Sequence, residues 1–249
     1  MSIKPNRKIW IIASVLGFLA LLACATIAAA ILYRWLNLAV PWSPVALSSA
    51  VPITTQNVQK LEPLYQFTIT GTVQSLAWSP DARWLALGTE KQSGGFPVPE
   101  MSVSYSLHLW DIVKGNGTVL FTSPPYIGWF FPTRVAFSPD GKILIYRTQK
   151  STQQWNVAPD HLPTPTAGDA WKISTGREFP SIPETQVCLT NSPDDSLMAV
   201  ENYIRENDSG KTHILDTGSD PPACVAFSPD GRFLAIAAKN GIVQLWGVR

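Results

Sequence analysis

Hydrophobic and polar residues alternate along short segments of the chain, and the alternation stops at a turn signal. The segment Val135–Lys142 reads VAFSPDGK, and the segment Val225–Arg232 reads VAFSPDGR. Val135 and Phe137 alternate as the residues of a half-buried strand do. The proline fixes φ for the first corner of a turn, the aspartate is tolerated at the second, and the glycine supplies the positive φ that follows. Each octet therefore predicts a strand, a tight turn and the start of an antiparallel partner strand.

Two looser copies of the octet occur at Leu76–Arg83, which reads LAWSPDAR, and at Leu189–Ser196, which reads LTNSPDDS. Four related copies indicate a repeated structural unit. Ala82 and Asp195 stand where the other two copies carry glycine. Because a positive φ costs alanine more than aspartate, we expect the first turn to be the more distorted.

Further strands are predicted after each octet. In the last copy, Phe233–Ala238 and Ile242–Gly247 alternate on either side of a Lys-Asn-Gly turn. In the first copy, Ser106–Asp111 follows an insertion and predicts the third strand, and Thr118–Ser123 predicts the fourth. Each repeat thus predicts a four-stranded antiparallel sheet.

The order of strand, Ser-Pro-Asp-Gly turn, strand, Asn-Gly turn and Leu-Trp-Asp strand resembles the WD40 repeat, which uses about 40–45 residues for each four-stranded blade. The resemblance extends over Leu64–Arg249, although the Gly-His pair of strong repeats is missing. TolB-like propellers share this turn and are the nearest alternative family within the same fold class. The resemblance implies an all-β fold, a small β-propeller of about four four-stranded blades.

The two ends of this region complement each other. Four octets share the 187 residues from Pro63 to Arg249, which is room for about one blade each. The last repeat ends on a third strand, and Leu64–Thr70 precedes the first octet without a partner. We therefore expect the N-terminal strand to complete the last blade and close the ring. A larger ring made by two chains, a homodimer, is the alternative.

The N-terminal region predicts a membrane anchor. Residues 9–32 carry no charge over 24 positions, and about 20 apolar residues span a bilayer core. Lys4, Arg7 and Lys8 precede this run, so the positive-inside rule puts residues 1–8 in the cytoplasm and the body outside. The predicted organisation is a transmembrane helix over residues 9–33, a proline-containing tether over residues 34–62 and the propeller over residues 63–249.

Two alternatives to the anchor also deliver the body outside the cytoplasm. A cleaved signal peptide would need a shorter apolar core, of about 7–15 residues. The sequence Leu-Leu-Ala-Cys ending at Cys24 resembles a bacterial lipobox, which would make Cys24 a lipidated first residue. The apolar run continues past Cys24, and this favours the uncleaved anchor.

The charge balance excludes one class of partner. Without the four basic residues around the apolar run, 15 basic and 18 acidic residues remain. A mildly acidic body has no electrostatic footprint for nucleic acid. Cys188 and Cys224 are interpreted as buried free thiols, and a disulfide between neighbouring blades is the alternative suited to an oxidising compartment.

Catalytic constellations are missing from the sequence. It contains no Gly-x-Ser-x-Gly elbow, no His-Glu-x-x-His and no phosphate-binding glycine loop. His108 and His213 are expected at matching repeat positions, and His161 lies in a proline-rich insert. The octet aspartates are expected to be turn residues, and Glu206–Lys211 a hairpin tip rather than a calcium loop. We therefore predict no enzyme activity, no cofactor and no metal.

Four aromatic residues crowd a connection between two predicted blades, where loops normally face water. They are Tyr126, Trp129, Phe130 and Phe131. They predict a partner-binding patch, or else they fold back over the core. The sequence as a whole predicts a membrane-anchored, non-catalytic scaffold that binds a protein of unknown identity. A small-ligand sensor and a TolB-like propeller that gates a partner enzyme are the alternatives.

Overall fold

The computed structural model describes residues 47–94, 102–127, 133–147, 152–158, 161–166, 189–218 and 222–249. The described residues belong to one compact unit, Pro41–Arg249. Within these ranges no helix has the length and apolar character needed to cross a membrane. The predicted span at residues 9–33 lies outside the described residues.

The named elements of the described residues are a short 3-10 helix at Val58–Lys60 and a series of β-strands. The strands in chain order are β1 Glu62–Thr68, β2 Thr72–Trp78, β3 Trp84–Ser93, β4 Ser102–Asp111, β5 Asn116–Thr122, β6 Tyr126–Ile127, β7 Arg134–Phe137, β8 Ile143–Arg147, β9 Thr152–Ala158, β10 His161–Thr166, β11 Leu189–Asn191, β12 Leu197–Val200, β13 Tyr203–Glu206, β14 Thr212–Ile214, β15 Pro222–Phe227, β16 Leu234–Ala238 and β17 Ile242–Gly247.

These strands form four antiparallel sheets, one for each octet, as predicted. The first sheet has the order β2-β3-β4-β5, with β6 added beside β4. The second is β7-β8-β9-β10, the third is β11-β12-β13-β14, and the fourth is β15-β16-β17-β1. In every sheet the strand that enters the octet turn (β2, β7, β11 or β15) lies at one edge.

The predicted pairing of the first strand with the last is confirmed. β1 runs antiparallel to β17 from the pair Glu62 and Gly247 to the pair Thr68 and Ile242. The ring of Phe67 on β1 also stacks on Trp110 of β4, with centroids 3.8 Å apart and planes 12° from parallel. β1 therefore completes the fourth sheet and packs against the first.

The octet strands of different sheets lie beside one another. β15 lies against β2, β2 against β7, and β11 against β15. The indole N–H of Trp78 on β2 donates a hydrogen bond of 3.0 Å to the carbonyl of Ala226 on β15. At the turns, Gly141 faces Pro80 and Gly231 faces Pro193. This arrangement of four sheets around their octet strands is consistent with a small β-propeller.

One buried serine organises each octet turn. Its hydroxyl donates to the aspartate two residues later, at 2.5–2.6 Å. The same hydroxyl accepts the backbone N–H five residues later, at 2.8–2.9 Å. The aspartate carboxylate also accepts the backbone N–H of the residue two positions after it, at 3.1 Å in all four copies. The serine–aspartate pairs are Ser79 and Asp81, Ser138 and Asp140, Ser192 and Asp194, and Ser228 and Asp230.

The expectation that the first turn is the more distorted one is wrong. Ala82 has φ +57° and Asp195 +56°, close to the +70° of Gly141 and Gly231. The backbone bond that closes each turn is 2.9 Å in all four copies. The serine–aspartate bonds hold the alanine copy in the same geometry, so the strain of a positive φ is absorbed without a change of shape.

The last part of the predicted tether is packed on the sheets. Ile53 and Val58 are buried in a cluster with residues of the third and fourth sheets, among them Leu197 and Leu234. The N–H of Ile53 donates to the carbonyl of Gly231 at 2.8 Å. The prolines at positions 41, 44 and 52 led to the expectation of an extended tether, but the apolar side chains of Ile53 and Val58 that follow them are removed from water by this docking.

Two segments take different places from those predicted. Thr212–Ile214 forms β14, the fourth strand of its sheet, because the third position is taken by β13. His108 on β4 and His213 on β14 therefore do not occupy matching positions. The proline-rich insert contains a strand, β10, which begins at His161.

Cys224 on β15 is buried and disulfide-bonded. The interpretation as a free thiol is therefore wrong for Cys224. The other two cysteines of the chain, Cys24 and Cys188, lie outside the described residues.

Removing one turn hydroxyl should destabilise the protein measurably. Ser228 is fully buried, so Ser228→Ala leaves the N–H of Phe233 without its acceptor and Asp230 without one donor. We expect a loss of about 1–3 kcal/mol in the free energy of unfolding, measured by urea denaturation. The control Ser93→Ala removes an exposed hydroxyl and should change it by less than about 0.5 kcal/mol. Equal effects of the two variants would contradict the role assigned to the turn.

The turn aspartates should make stability depend on acid. The serine hydroxyl is the main cause that holds the pKa of Asp140 and of Asp194 below the ordinary value of 3.8. For Asp230, burial raises the pKa, but bonds from Ser228 and Arg232 outweigh it and lower the pKa. A lowered folded-state pKa means that the stabilisation is complete above the unfolded-state pKa and is lost as the pH falls through the folded-state value.

The double variant Asp140→Asn/Asp194→Asn should therefore lose less stability than the unmodified chain between about pH 5 and pH 2. An asparagine oxygen still accepts the turn hydrogen bonds but does not titrate there. Urea midpoints measured across this range give the comparison, with the exposed Asp208→Asn as control. Identical acid profiles for the double variant and the unmodified chain would contradict the prediction.

Candidate interaction surface

The predicted aromatic patch begins on an edge strand. The backbone of Tyr126 pairs with Val103 and that of Ile127 with Ser102, so β6 lies beside the first half of β4. Trp129, Phe130 and Phe131 follow directly and lie outside the described residues. The structure thus places the start of the predicted patch, at Tyr126, on the outer edge of the first sheet.

β5 and β6 follow β4 as two parts of one outer edge. β5 pairs with β4 from Asp111 to Ser106, and β6 resumes the pairing at Val103. Between them, the N–H of Ser123 donates to the carbonyl of Tyr105 at 2.8 Å, and the Ser123 hydroxyl accepts the N–H of Tyr105 at 2.9 Å. Two prolines follow Ser123 and have no N–H to give to the ladder. The pairing is therefore interrupted there and then resumes.

Apolar side chains are exposed along the same edge. Val119 on β5 is 53% exposed, and Val113, in the turn before β5, is 64% exposed. β4 on the inner side of β5 is buried or half-buried at every position. The outer edge of the first sheet, Val113–Ile127, therefore combines exposed apolar groups with strand backbone. We call it the first-sheet edge.

A second exposed apolar region lies on the third sheet. Ile214 on β14 is 81% exposed and Leu189 on β11 is 51% exposed. They stand on the two opposite edge strands of that sheet. They are therefore separate apolar positions, and they serve below as controls for the first-sheet edge.

The octet carboxylates are engaged in the turns. Each of the four accepts a serine hydroxyl and a backbone N–H of its own turn. The lowered pKa of Asp140, Asp194 and Asp230 keeps these groups ionised. A general acid needs a pKa near the working pH, so their environment is the reverse of what acid catalysis requires.

His108 and His213 have different surroundings and different hydrogen-bond partners. His108 on β4 is buried, its Nε2 lies 3.2 Å from the Thr89 hydroxyl, and burial lowers its pKa. His213 on β14 lies 2.8 Å from Glu206 through its Nε2. Hydrogen bonds from Ser209 and His213 lower the pKa of Glu206. Within the described ranges, no three histidine, cysteine or acidic side chains are grouped so that they could hold a metal ion.

Glu206–Lys211 forms the hairpin tip between β13 and β14, as predicted. The N–H of Glu206 donates to the carbonyl of Lys211 at 2.8 Å, and the N–H of Gly210 to the carbonyl of Glu206 at 2.9 Å. The Glu206 carboxylate is occupied by Ser209 and His213. These bonds turn the acidic group of the tip towards its own hairpin.

Sequence reasoning missed two features of this surface. The predicted connection at Pro124–Arg134 gave no sign that its first residues pair as β6, because a two-residue strand has no measurable alternation. The exposed valine of β5 could have been found from Thr118–Ser123, where Val119 alternates out of the buried face.

The comparisons with known proteins agree with the repeat pattern. Residues 210–247, which span β14 to β17, match the family model described as WD domain, G-beta repeat. The chain is also 24% identical over 203 residues to the "WD repeat-containing protein SL1-17" of Schistosoma mansoni. This alignment covers 74% of the chain and 62% of that relative, so the chain spans less than two thirds of it. These matches confirm the predicted resemblance, and they support the WD40 repeat family for this chain.

Proposed function

We propose that the protein is a membrane-anchored, WD40-like scaffold that binds a protein partner without catalysing a reaction. The first-sheet edge and the aromatic residues that follow it form the binding surface. The observation that carries the proposal is the pairing of Tyr126 on an edge strand, immediately before Trp129, Phe130 and Phe131.

The first-sheet edge has two properties that suit a protein partner. An edge strand presents backbone N–H and C=O groups that a partner segment can pair with. Val113 and Val119 add exposed apolar surface to it, and aromatic residues are the side chains that most often dominate binding energy at interfaces. A partner strand laid along β5 would run towards β6, which immediately precedes the aromatic residues in the chain.

The absence of a catalytic role is supported by how the polar residues are used. The octet aspartates stabilise their turns, and Glu206 is held by Ser209 and His213. WD repeats suggest a protein-interaction scaffold, and the exposed features described above are apolar rather than acid–base groups.

A ring formed by one chain is part of the proposal. The contacts already join the sheets in the order third, fourth, first and second through their octet strands. A ring needs one further neighbour relation, between β7 and β11, and residues 167–188 between the second and third sheets lie outside the described residues. The pairing of β1 with β17 supports closure within one chain, since it leaves no strand of the fourth sheet to be supplied by a second copy.

The partner-binding segment should be tested in the full chain rather than in a fragment that lacks residues 47–61, because these residues belong to the packed body. The variant Trp129→Ala/Phe131→Ala should lose its partners in affinity capture from cells that produce the protein, while its melting temperature stays within about 2 °C. The expected reason is that two central aromatic contacts are removed without a change in the sheets.

A matched control is Ile214→Ala, which removes an exposed apolar side chain from the third sheet and should leave the captured partners unchanged. A second probe is Val119→Glu, which places a charge on the first-sheet edge and should weaken the same partners. If the aromatic variant retains its full set of partners, the proposed surface is wrong.

The membrane anchor has its own test. Protease added to intact cells should digest the body and leave an N-terminal fragment of the size of the anchor, because the positive-inside rule puts the body outside. The disulfide at Cys224 supports this side, since disulfides persist in oxidising compartments. Cys24→Ala should leave the membrane fraction unchanged for an uncleaved helix and release the protein for a lipoprotein. Full protection of the body from the protease would contradict the proposed orientation.

A further inference from the structure

Three buried hydroxyl groups lie on the strands where the first and second sheets pack together. They belong to Ser75 on β2, to Thr133 just before β7, and to Tyr146 on β8. Thr133 is 1% exposed and Tyr146 is 0% exposed, and the Ser75 hydroxyl is equally cut off from solvent. In the described part of the chain, none of the three oxygen atoms has a hydrogen-bond partner.

Gly88 brings two of these hydroxyls together. Gly88 pairs with Ser75 across β2 and β3, and a Cβ placed on Gly88 would lie 2.6 Å from the Ser75 Oγ and 2.6 Å from the Thr133 Oγ1. The two oxygens, one from each sheet, therefore occupy the space above the bare backbone of Gly88. Any larger residue would displace them.

The third hydroxyl lies next to Thr133. Tyr146 on β8 pairs with Val135, which is two residues after Thr133, so the Tyr146 and Thr133 side chains are diagonal neighbours across the strand pair. Burial raises the pKa of Tyr146 and the Thr133 hydroxyl offsets part of this, although the two oxygens do not make a direct hydrogen bond. The surroundings are mostly apolar: Tyr146 belongs to a buried cluster with Ala86, Leu107 and Leu144, and the phenol of Tyr105 is part of the same cluster. The Ser75 and Thr133 oxygens thus share one place in a largely hydrophobic interface, and Tyr146 lies beside Thr133.

An unpaired hydroxyl in such surroundings is expensive, and three at one place would add their costs. A water molecule can donate two hydrogen bonds and accept two, and a buried water typically makes about three bonds to otherwise unpaired polar groups. Hydroxyls both donate and accept, so all three oxygens can share such a molecule. We propose that one ordered water binds between Ser75, Thr133 and Tyr146 and bridges the first sheet to the second.

This water site would fix how the two sheets meet. Apolar side chains tolerate small sliding movements, whereas a molecule bonded to both sheets requires particular distances. The site explains why a glycine stands at position 88 of a buried strand, where glycine is otherwise unfavourable. It is independent of the proposed partner surface.

The sign of a stability change distinguishes a bridged site from a dry one. Thr133→Val and Tyr146→Phe in the full chain each delete one hydroxyl and keep the shape of the side chain. If the hydroxyls share a water, each variant should lower the melting temperature, by about 2–6 °C for a chain of this size. If they are dry and unpaired, each deletion removes a buried polar group that has no partner, and the melting temperature should stay the same or rise. Either of those outcomes overturns the proposal.

Two further measurements complete the test. The control Thr212→Val makes the same chemical change on the exposed strand β14 and should alter the melting temperature by less than about 2 °C. The double variant Thr133→Val/Tyr146→Phe should lose less than the sum of the single losses, because both act on one shared molecule. A crystal structure should show a water within about 2.5–3.0 Å of at least two of the three oxygens. Additive losses or a dry site in that structure would also overturn the proposal.

Discussion

The hydrogen bond between a buried serine hydroxyl and the aspartate two residues later is the interaction on which the four sheets depend. In each octet that serine also accepts a backbone N–H, and its main chain closes the turn in both directions. One residue thus fixes where a strand ends and where its partner begins. The turns in turn touch each other, at Pro80 and Gly141 and at Pro193 and Gly231. The local bond therefore shapes each hairpin, and the turns so formed lie next to turns of neighbouring sheets.

Segments outside the repeats join the sheets to one another. β1 is paired with β17 and stacks Phe67 on Trp110, so it holds the fourth sheet to the first. The segment that contains Ile53 and Val58 fills a cluster between the third and fourth sheets. The repeats supply four similar units, each with a hydrophobic face that a single sheet cannot bury by itself. The non-repeated segments cover part of those faces.

Much of the fold could be predicted from local sequence. The octets, the alternating strands and the unpartnered Leu64–Thr70 were enough, because turn chemistry and period-two patterning act within about ten residues. The hydrogen-bonding role of the serine was missed. The backbone preferences of proline, aspartate and glycine already explained the turn, so no role was assigned to the serine. The same omission produced the wrong expectation for Ala82. The docking of Ile53 and Val58 was missed because it depends on a partner surface that forms only after folding. For the candidate site, the sequence proposed Tyr126 as part of a binding patch, which stays a prediction, and it gave no sign of the backbone pairing of Tyr126 with Val103.

The way the fold uses its polar groups constrains what the protein can do. A carboxylate that accepts two hydrogen bonds from its own turn is a structural group, and the repeat places one such group in every sheet. Repetition also makes the four turns chemically similar, so the turns give a partner little by which to distinguish one sheet from another. Specific recognition must therefore come from positions where the repeats differ. The first-sheet edge differs most clearly, since β6 gives this sheet a fifth strand and the aromatic residues come directly after it. In the proposed function, partner binding and folding therefore rest on different residues of the repeats, and substitutions at the first-sheet edge leave the serine–aspartate turns in place.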